Sequence, residues 1–462
     1  YVSLLTPPVA SPPVGFDDPE EPIAAPGAAT GDGATEPHPD RAFHLALVDH
    51  GRLSMREDDD LRETLYCIRC SACSNVCANF QQVGGHAFGG ETYSGGIATG
   101  WEAGIEGLDT AGEFNDLCTG CSRCVDACPV KIDIPWINTV VRDRINRGAD
   151  PDAFDPLVEG LTPDAEPGGI DLQKRLFGNF ETLARLGSAT APVSNWLADA
   201  GPVRAAMERL LGVDRRRALP AFERETFRAW FRAHDSPVSD PVRRVVVYPD
   251  VYTNHVQTER GKAAVRTLEA LGVDVVVPDV AASGRAPLSQ GMVATAESKA
   301  HSAFADLEPH LDAGRDVVVI EPSDLAMFQR EYSRLLPTAD HDRLADTAYE
   351  IVEYVYGLLE TGGDASVLSG PGPADDADGV AYHSHCQQRT LGLERHTEAV
   401  LDRLWYDVVT SDAECCGMAG SFGYKSEYYE LSVTVGEDLA EGFHSDVARD
   451  RTVVASGTSC LE

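Results

Sequence analysis

The spacing of apolar residues changes character several times along the chain. Up to residue 42 it shows no period. Pro, Gly, Ala and acidic residues dominate, which reads as a linker. Residues 43–48 form a short apolar run, expected as a strand, and Asp49-His50-Gly51 reads as the turn after it. Asp58–Tyr66 has helical spacing and leads directly into Cys67. Pro135–Arg147 is amphipathic, with Pro135 suited to a first helical turn. Between 149 and 242, helical spacing recurs over Leu172–Leu186 and Val203–Leu211, separated by Pro/Asp/Gly loops. Trp196, Trp230, Phe222, Phe227 and Phe231 form an apolar set there. Packing on the domain's own core is preferred to a face for a partner or a membrane surface.

From Arg243 short apolar runs alternate with amphipathic helices. Val245–Tyr248 reads as a strand, Glu259–Leu271 as a helix and Val273–Val277 as a strand. A helix around Ala294–Leu311 and a strand at Asp316–Ile320 follow. That alternation argues a parallel, helix-covered sheet. The order then recurs. Val245–Tyr252 resembles Val380–Cys386, Glu259–Asp279 resembles Glu394–Asp412, and Val317–Asp324 resembles Val453–Cys460. Ala282-Ser283-Gly284 falls where the later copy has Cys415-Cys416-Gly417. The spacing is 41 residues from Ser283 to Asp324 and 44 from Cys416 to Cys460. Two related half-domains are expected.

Charge narrows the function. The net charge is −36, with 74 acidic residues against 38 basic, and only five are Lys (131, 174, 262, 299 and 425). Such an excess repels nucleic acid and anionic lipid. Salt near 1 M shortens the Debye length to about 3 Å and screens the self-repulsion, so this surface suits a salt-rich, halophilic cytoplasm. No run of 18 apolar residues occurs, so no transmembrane segment is expected; peripheral contact with a membrane is left open. There is no signal peptide, and both ends look cut from something longer.

The twelve cysteines carry the chemistry. Cys67, Cys70, Cys73 and Cys77 read C-x2-C-x2-C-x3-C, and Cys118, Cys121, Cys124 and Cys128 repeat the spacing with Pro129 after it. This is the bacterial ferredoxin arrangement for two [4Fe–4S] clusters, in which the fourth cysteine of each run ligates the other cluster. One cluster is assigned to Cys67, Cys70, Cys73 and Cys128, the other to Cys118, Cys121, Cys124 and Cys77. Zinc sites more often use separate C-x2-C pairs. The Gly-rich stretch of about 40 residues between the runs suggests cluster loops set between helices. His86, inside that stretch, reads as a loop histidine rather than a ligand. Cys386, Cys415, Cys416 and Cys460 can converge on a third centre: an iron–sulfur cluster, a four-thiolate zinc, or a metal-free dithiol or disulfide. His383 and His385 flank Cys386 without being ligands. Tyr424 and Lys425 are read either as contacts to a substrate or cluster, or as surface residues. The grouping of cysteines implies metal chemistry in a reducing, cytoplasmic compartment rather than a secreted disulfide framework.

Residues 66–77 with 82–88 closely resemble the iron–sulfur protein B family of lactate-utilisation systems, and residues 1–6 and 43–52 look like the tail of that family's preceding LUD domain. Residues 243–462 resemble the cysteine-rich CCG domain of heterodisulfide reductase, glycolate oxidase iron–sulfur subunits and FAD-linked 2-hydroxyacid dehydrogenases. In some relatives a further cysteine follows the last by three positions, a place beyond Glu462 here. The resemblance implies electron transfer during oxidation of lactate or another 2-hydroxyacid. A flavin or LUD-type redox partner would do the substrate chemistry, and a quinone or other carrier would accept the electrons.

The expected fold is multidomain, α plus α/β. A linker or truncated LUD-like tail (1–42) precedes a helical ferredoxin-type 2[4Fe-4S] domain (43–148) and a helical connecting region (149–242). A degenerate CCG half-domain (243–370) and an intact one (371–462) complete an α/β cysteine-rich domain. No G-x-G-x-x-G fingerprint, Ser/His/Asp set or paired carboxylate stands out, so no catalytic residue is named. Two other functions stay open: a thiol/disulfide redox catalyst at Cys415/Cys416, and a ferredoxin carrying a zinc-stabilised interaction domain.

Overall fold

From Arg52 to Gly148 short helices alternate with tight loops, and helix crossings hold them. Gly100 sits where helix Ala98–Ile105 meets helix Ile134–Gly148. A Cβ there would strike Thr64 and come within 2.9 Å of Ile137 Cγ2. Asp133 starts the longer helix by accepting from Trp136 N at 3.2 Å, with Pro135 in the first turn. Such a cap contributes about 1 kcal/mol. Buried Asn138 ties the Gly-rich insert to this helix. Its Nδ2 donates to Gly96 O (2.8 Å) and Ile134 O (2.9 Å), and its Oδ1 accepts from Thr99 (2.7 Å). The helix expected from Asp58 shortens to a 3-10 turn, Arg62–Tyr66. The Asp58 carboxylate accepts from the backbone N–H of Asp60 (3.0 Å) and Leu61 (3.1 Å), which favours a turn over helix propagation.

The computed structural model describes residues 49–149, 166, 169–368 and 379–462. The linker and the strand expected at 43–48 lie outside these residues. From Gly51 to Glu462 the chain forms one unit.

Two parallel sheets follow the helical part. Strands β1 (Arg243–Tyr248), β2 (Val273–Val276), β3 (Asp316–Val319) and β4 (Ala348–Glu350) lie in the order β2-β1-β3-β4. Strands β5 (Gly379–His383), β6 (Asp407–Thr410) and β7 (Thr452–Ala455) lie in the order β6-β5-β7. Without edge strand β4 the two orders coincide, with the first strand central. β4 has only three residues, too few to show a period, and no strand is expected there from the sequence. β1 and β3 are buried on both faces, as their unbroken valine runs require. Val246, Tyr248, Val317 and Val319 face one core, and Val245, Val247 and Val318 the other. Leu393 and Val400, between β5 and β6, join these same cores, so the two sheets share packing.

The aromatic set of the connecting region divides. Phe227 is fully buried, and Trp230 stacks on it and on His234. Trp196 instead is 73% exposed, contrary to the expectation of core packing. It lies on helix Val193–Asp199, in which no residue is buried. Among the described residues no helix is long and apolar enough to cross a membrane.

Candidate metal centres

The two N-terminal cysteine runs fold alike. Cys67 ends the turn Arg62–Tyr66, and Cys118 ends the turn Asn115–Leu117. Arg69 (φ 57°) and Gly120 (φ 68°) then take left-handed conformations, as do Ser71 (φ 64°) and Ser122 (φ 66°). Non-glycine residues seldom adopt this region unless the surroundings impose it. A backbone that alternates in this way can turn successive N–H groups into a concavity for an anionic group. In the first loop Arg69 N donates to Cys67 Sγ at 3.4 Å. Short helices Ala72–Asn75 and Arg123–Ala127 follow and pack on each other. His86 falls in the last turn of helix Ala78–Ala87, not in a loop, and meets Tyr93 edge-on.

The fourth cysteine of the first run lies beside the second run. Burial pushes the Cys77 thiol up to about 12, reinforced by Cys121 and Cys118 beside it. Burial also raises Cys124, whose neighbours are Cys121, Cys118, Cys77 and Cys73. Cys128 packs in one apolar cluster with Cys67, Cys73 and Cys124, whereas Cys77 and Cys118 share another. Cys73 has Cys67 and Cys70 as charged neighbours. Buried thiols that raise one another's pKa are suited to a cation, because ligation removes the proton and brings positive charge. Among the described residues, no three His, Cys, Asp or Glu groups stand close enough to enclose a single metal ion. Four thiolates on one zinc stand about 3.8 Å apart, given a Zn–S bond of about 2.3 Å. Eight thiols in two runs of the ferredoxin spacing are the donor type and number that two four-iron clusters take.

The C-terminal cysteines meet at the ends of parallel strands. Cys386 opens helix Cys386–Thr390 after β5, Cys415 and Cys416 lie in the loop after β6, and Cys460 lies in helix Thr458–Leu461 after β7. With β5 between its two neighbours, this is the crevice where open parallel sheets bind ligands. Cys416 is held low by hydrogen bonds from the Cys415 and Cys460 thiols, against burial that would raise it. Burial raises Cys386, with Cys121 of the second run and then Cys416 as its charged neighbours. Gly417 N donates to Cys415 Sγ at 3.3 Å. Gly417 is left-handed (φ 83°), and a side chain there would collide with the Ser432 carbonyl.

The second run docks on this site. Gly120 O accepts from Gln387 Nε2 at 2.8 Å and from Arg285 Nη2 at 3.3 Å, and Arg123 pairs with Glu414 next to Cys415. Cys121, Cys386 and Cys415 line a common cavity of about 410 Å³. Its other walls are largely apolar, with Phe177, Phe180, Phe222 and Tyr252 among them. Tyr252 stacks on Phe180 with ring centroids 4.9 Å apart.

Residues 63–132 match the 4Fe-4S dicluster domain. The chain is 24% identical over 272 residues to a subunit, designated C, of the anaerobic glycerol-3-phosphate dehydrogenase of Escherichia coli, covering 58% of this chain and 67% of that protein. It is 32% identical over 196 residues to lactate utilization protein B of Bacillus cytotoxicus, covering 42% of this chain and 38% of that protein. The lactate utilization protein B of a Geobacillus strain gives 32% over 203 residues, again 38% of that protein. The chain thus spans about two thirds of the first relative and under two fifths of the other two. The resemblance to lactate-utilisation proteins is borne out, and a second kind of dehydrogenase subunit joins it. No solved structure matches the chain.

Opposite the dicluster segment, the first sheet builds a matching crevice from other residues. Asp250 caps helix Val251–His255 after β1 as His385 caps Cys386–Thr390, which puts Val251 in the place of Cys386. Gly284 (φ 86°) mirrors Gly417. Ser283 Oγ hydrogen-bonds to the Asp324 carboxylate, where the second sheet has Cys416 bonded to Cys460. Both Ser283 and Asp324 line the cavity. Burial, then the nearby charge of Asp250, raises Asp324 well above the carboxylate range. Asp250 is itself raised to about 6 by burial and by Glu321. Burial would raise Glu321 too, but it is held low by His385 and Arg260, with Thr458 N donating to it at 2.9 Å. The repeat flags one of these three carboxylates: Asp324 stands where the later copy has Cys460, whereas Asp250 and Glu321 fall opposite His385 and Gly457.

Tyr424 and Lys425 are both buried, so the surface reading fails for each. Tyr424 lines the cavity and donates to Glu462 at 2.6 Å. Lys425 lies 3.8 Å from Asp116, whose carboxylate also pairs with Arg142 (2.6 Å) and Lys174 (3.5 Å). His383 is buried, which lowers it to about 4 and keeps it neutral.

Proposed function

We propose that this chain is an iron–sulfur relay of a dehydrogenase complex. It takes electrons from a partner subunit that oxidises lactate, another 2-hydroxyacid or glycerol 3-phosphate, and delivers them to a carrier in the apolar cavity. Cys67, Cys70, Cys73 and Cys128 would hold one [4Fe–4S] cluster, and Cys118, Cys121, Cys124 and Cys77 the other. Cys386, Cys415, Cys416 and Cys460 would hold a third iron–sulfur centre. When bound, these groups supply reversible one-electron storage. The chain's part is to place them in a row, surround them with N–H donors and apolar walls, and keep water away. The observation that carries this reading is the docking of the Gly120 loop on Gln387 and Arg285, which sets Cys121 beside Cys386.

We read 243–370 and 371–462 as two related half-domains, of which only the second keeps its thiols. The shared strand order and the matching left-handed Gly284 and Gly417 support this. The complex, purified anaerobically from its native cells, tests the function. Lactate, glycolate or glycerol 3-phosphate should generate the EPR signals of reduced clusters. Signals that appear with dithionite but with none of these substrates would sink the reading.

A second reading, a thiol/disulfide catalyst, is favoured by one observation: Cys415 borders the cavity and is hydrogen-bonded to Cys416. It predicts stoichiometric reduction of a small disulfide by the reduced chain, abolished in Cys415→Ala.

A further inference from the structure

The cavity is lined by two chemically different groups: the thiols of Cys121, Cys386 and Cys415, and the Ser283–Asp324 pair. An electron relay alone needs only the first. The second is a buried acid placed where the paired crevice has a thiol pair, and its immediate surroundings explain its state. Asp250 and Glu321 face Asp324 from the two capping positions, and Arg285 from the adjoining helix. Tyr248 and Tyr332 are further titratable neighbours. Ser283 fixes the carboxyl from the loop after β2, and is itself held by Arg285 N (3.1 Å to Oγ) and the Tyr332 hydroxyl (2.8 Å to its carbonyl). Glu321 is held charged by Arg260 and by hydrogen bonds from Thr458 N and Oγ1, so the remaining acids are pressed toward the neutral form. Asp250, a charged neighbour of Asp324, has one carboxylate oxygen, Oδ2, without a hydrogen-bond partner among the described residues.

The rest of the cavity selects the ligand. At about 410 Å³ it is the size of a small-ligand site, and its aromatic walls suit a flat ring. The helices that supply Leu183, Ala198 and Met207 to its lining also carry Leu186, Trp196, Leu197 and Leu210, each at least half exposed. An apolar tail leaving the cavity would find apolar surface outside.

Resting on the relay reading above, we propose that the cavity binds a quinone ring and that Asp324, oriented by Ser283, is its proton donor. Reduction of a quinone takes two electrons and two protons. The electrons come one at a time from the reduced centres, which are oxidised by two electrons in total. One proton leaves the Asp324 carboxyl as an O–H bond forms at one ring oxygen. The other ring oxygen takes its proton from solvent at the cavity mouth, and solvent reprotonates Asp324 once the quinol has left. The degenerate half-domain has in this view exchanged a metal centre for a proton-delivery site.

The test uses cluster-loaded protein under anaerobic conditions with menadione as the quinone. Menadione binding is measured by equilibrium dialysis. Oxidation of the reduced protein is followed separately with menadione and with ferricyanide, which takes electrons without protons. For the wild type, menadione should bind, and its reduction should slow as pH rises and the acid ionises. In Asp324→Asn the ratio of menadione to ferricyanide rates should fall at least tenfold and lose that pH dependence, with iron content retained. Ser283→Ala should lower the ratio by a smaller factor and provides a second handle if Asp324→Asn folds poorly. An unchanged ratio in both variants overturns the proton-donor role. Ferricyanide oxidation with no menadione binding overturns the quinone site while leaving the relay intact. Failure with both acceptors overturns the relay itself.

Discussion

At the scale of single residues, the cysteines work through neighbours far away in sequence. Cys77 follows Cys73 by four positions, yet its charged neighbours are Cys121 and Cys118. Cys77→Ala should therefore remove iron from the centre built on Cys118, Cys121 and Cys124 and leave the one built on Cys67, Cys70 and Cys73 largely intact. EPR of the reduced variant distinguishes the two. Loss confined to the Cys67 side would contradict the crossed arrangement. The spacing alone leads to this expectation, because in two-cluster ferredoxins a C-x2-C-x2-C-x3-C run gives three ligands to one cluster and its fourth to the other. Asp324 is legible only in part. The repeat marks its position, but its buried, hydrogen-bonded state depends on Ser283 and Asp250, 41 and 74 residues away in sequence.

At the scale of elements, Asp116 clamps three parts of the chain around the second cysteine loop. Arg142 comes from helix Ile134–Gly148, Lys174 from helix Leu172–Gly178, and Lys425 from the turn after Phe422–Tyr424. Burial would raise this carboxyl, but the three cations outweigh it and hold it well below the usual range. A depressed folded-state pKa means the stabilisation is complete above about pH 4, the unfolded carboxylate value, and is lost as pH falls further. Asp116→Asn should cost about 3 kcal/mol at pH 7, since it strands buried cations. It should also blunt the loss of thermal stability below pH 4; an unchanged thermal midpoint at pH 7 would contradict the clamp. Nothing in the sequence marks this clamp, because charged residues at 116, 142, 174 and 425 look like ordinary solvated positions until the fold gathers them. The same holds for the bond from Gln387 to Gly120, which spans 267 residues. By contrast β1 and β3 are plain in the sequence, because a strand buried on both faces is a continuous apolar run.

At the scale of the whole molecule, a net charge of −36 sets up a self-repulsion that salt screens. Raising KCl from dilute buffer to about 1 M, where the Debye length is about 3 Å, should raise the thermal midpoint. A midpoint that is highest in dilute buffer would refute the adaptation to salt. The larger claim is that the dicluster segment and the C-terminal cysteines form one electron path ending at the cavity. Its most direct test is anaerobic iron, sulfide and zinc analysis with EPR on dithionite-reduced protein, comparing wild type with Cys415→Ala/Cys416→Ala. The account predicts about twelve irons in the wild type and about eight in the variant, with one reduced-cluster signal lost. About eight irons in both, with zinc lost from the variant, would contradict it and leave the C-terminal sheets as a scaffold for a two-cluster ferredoxin.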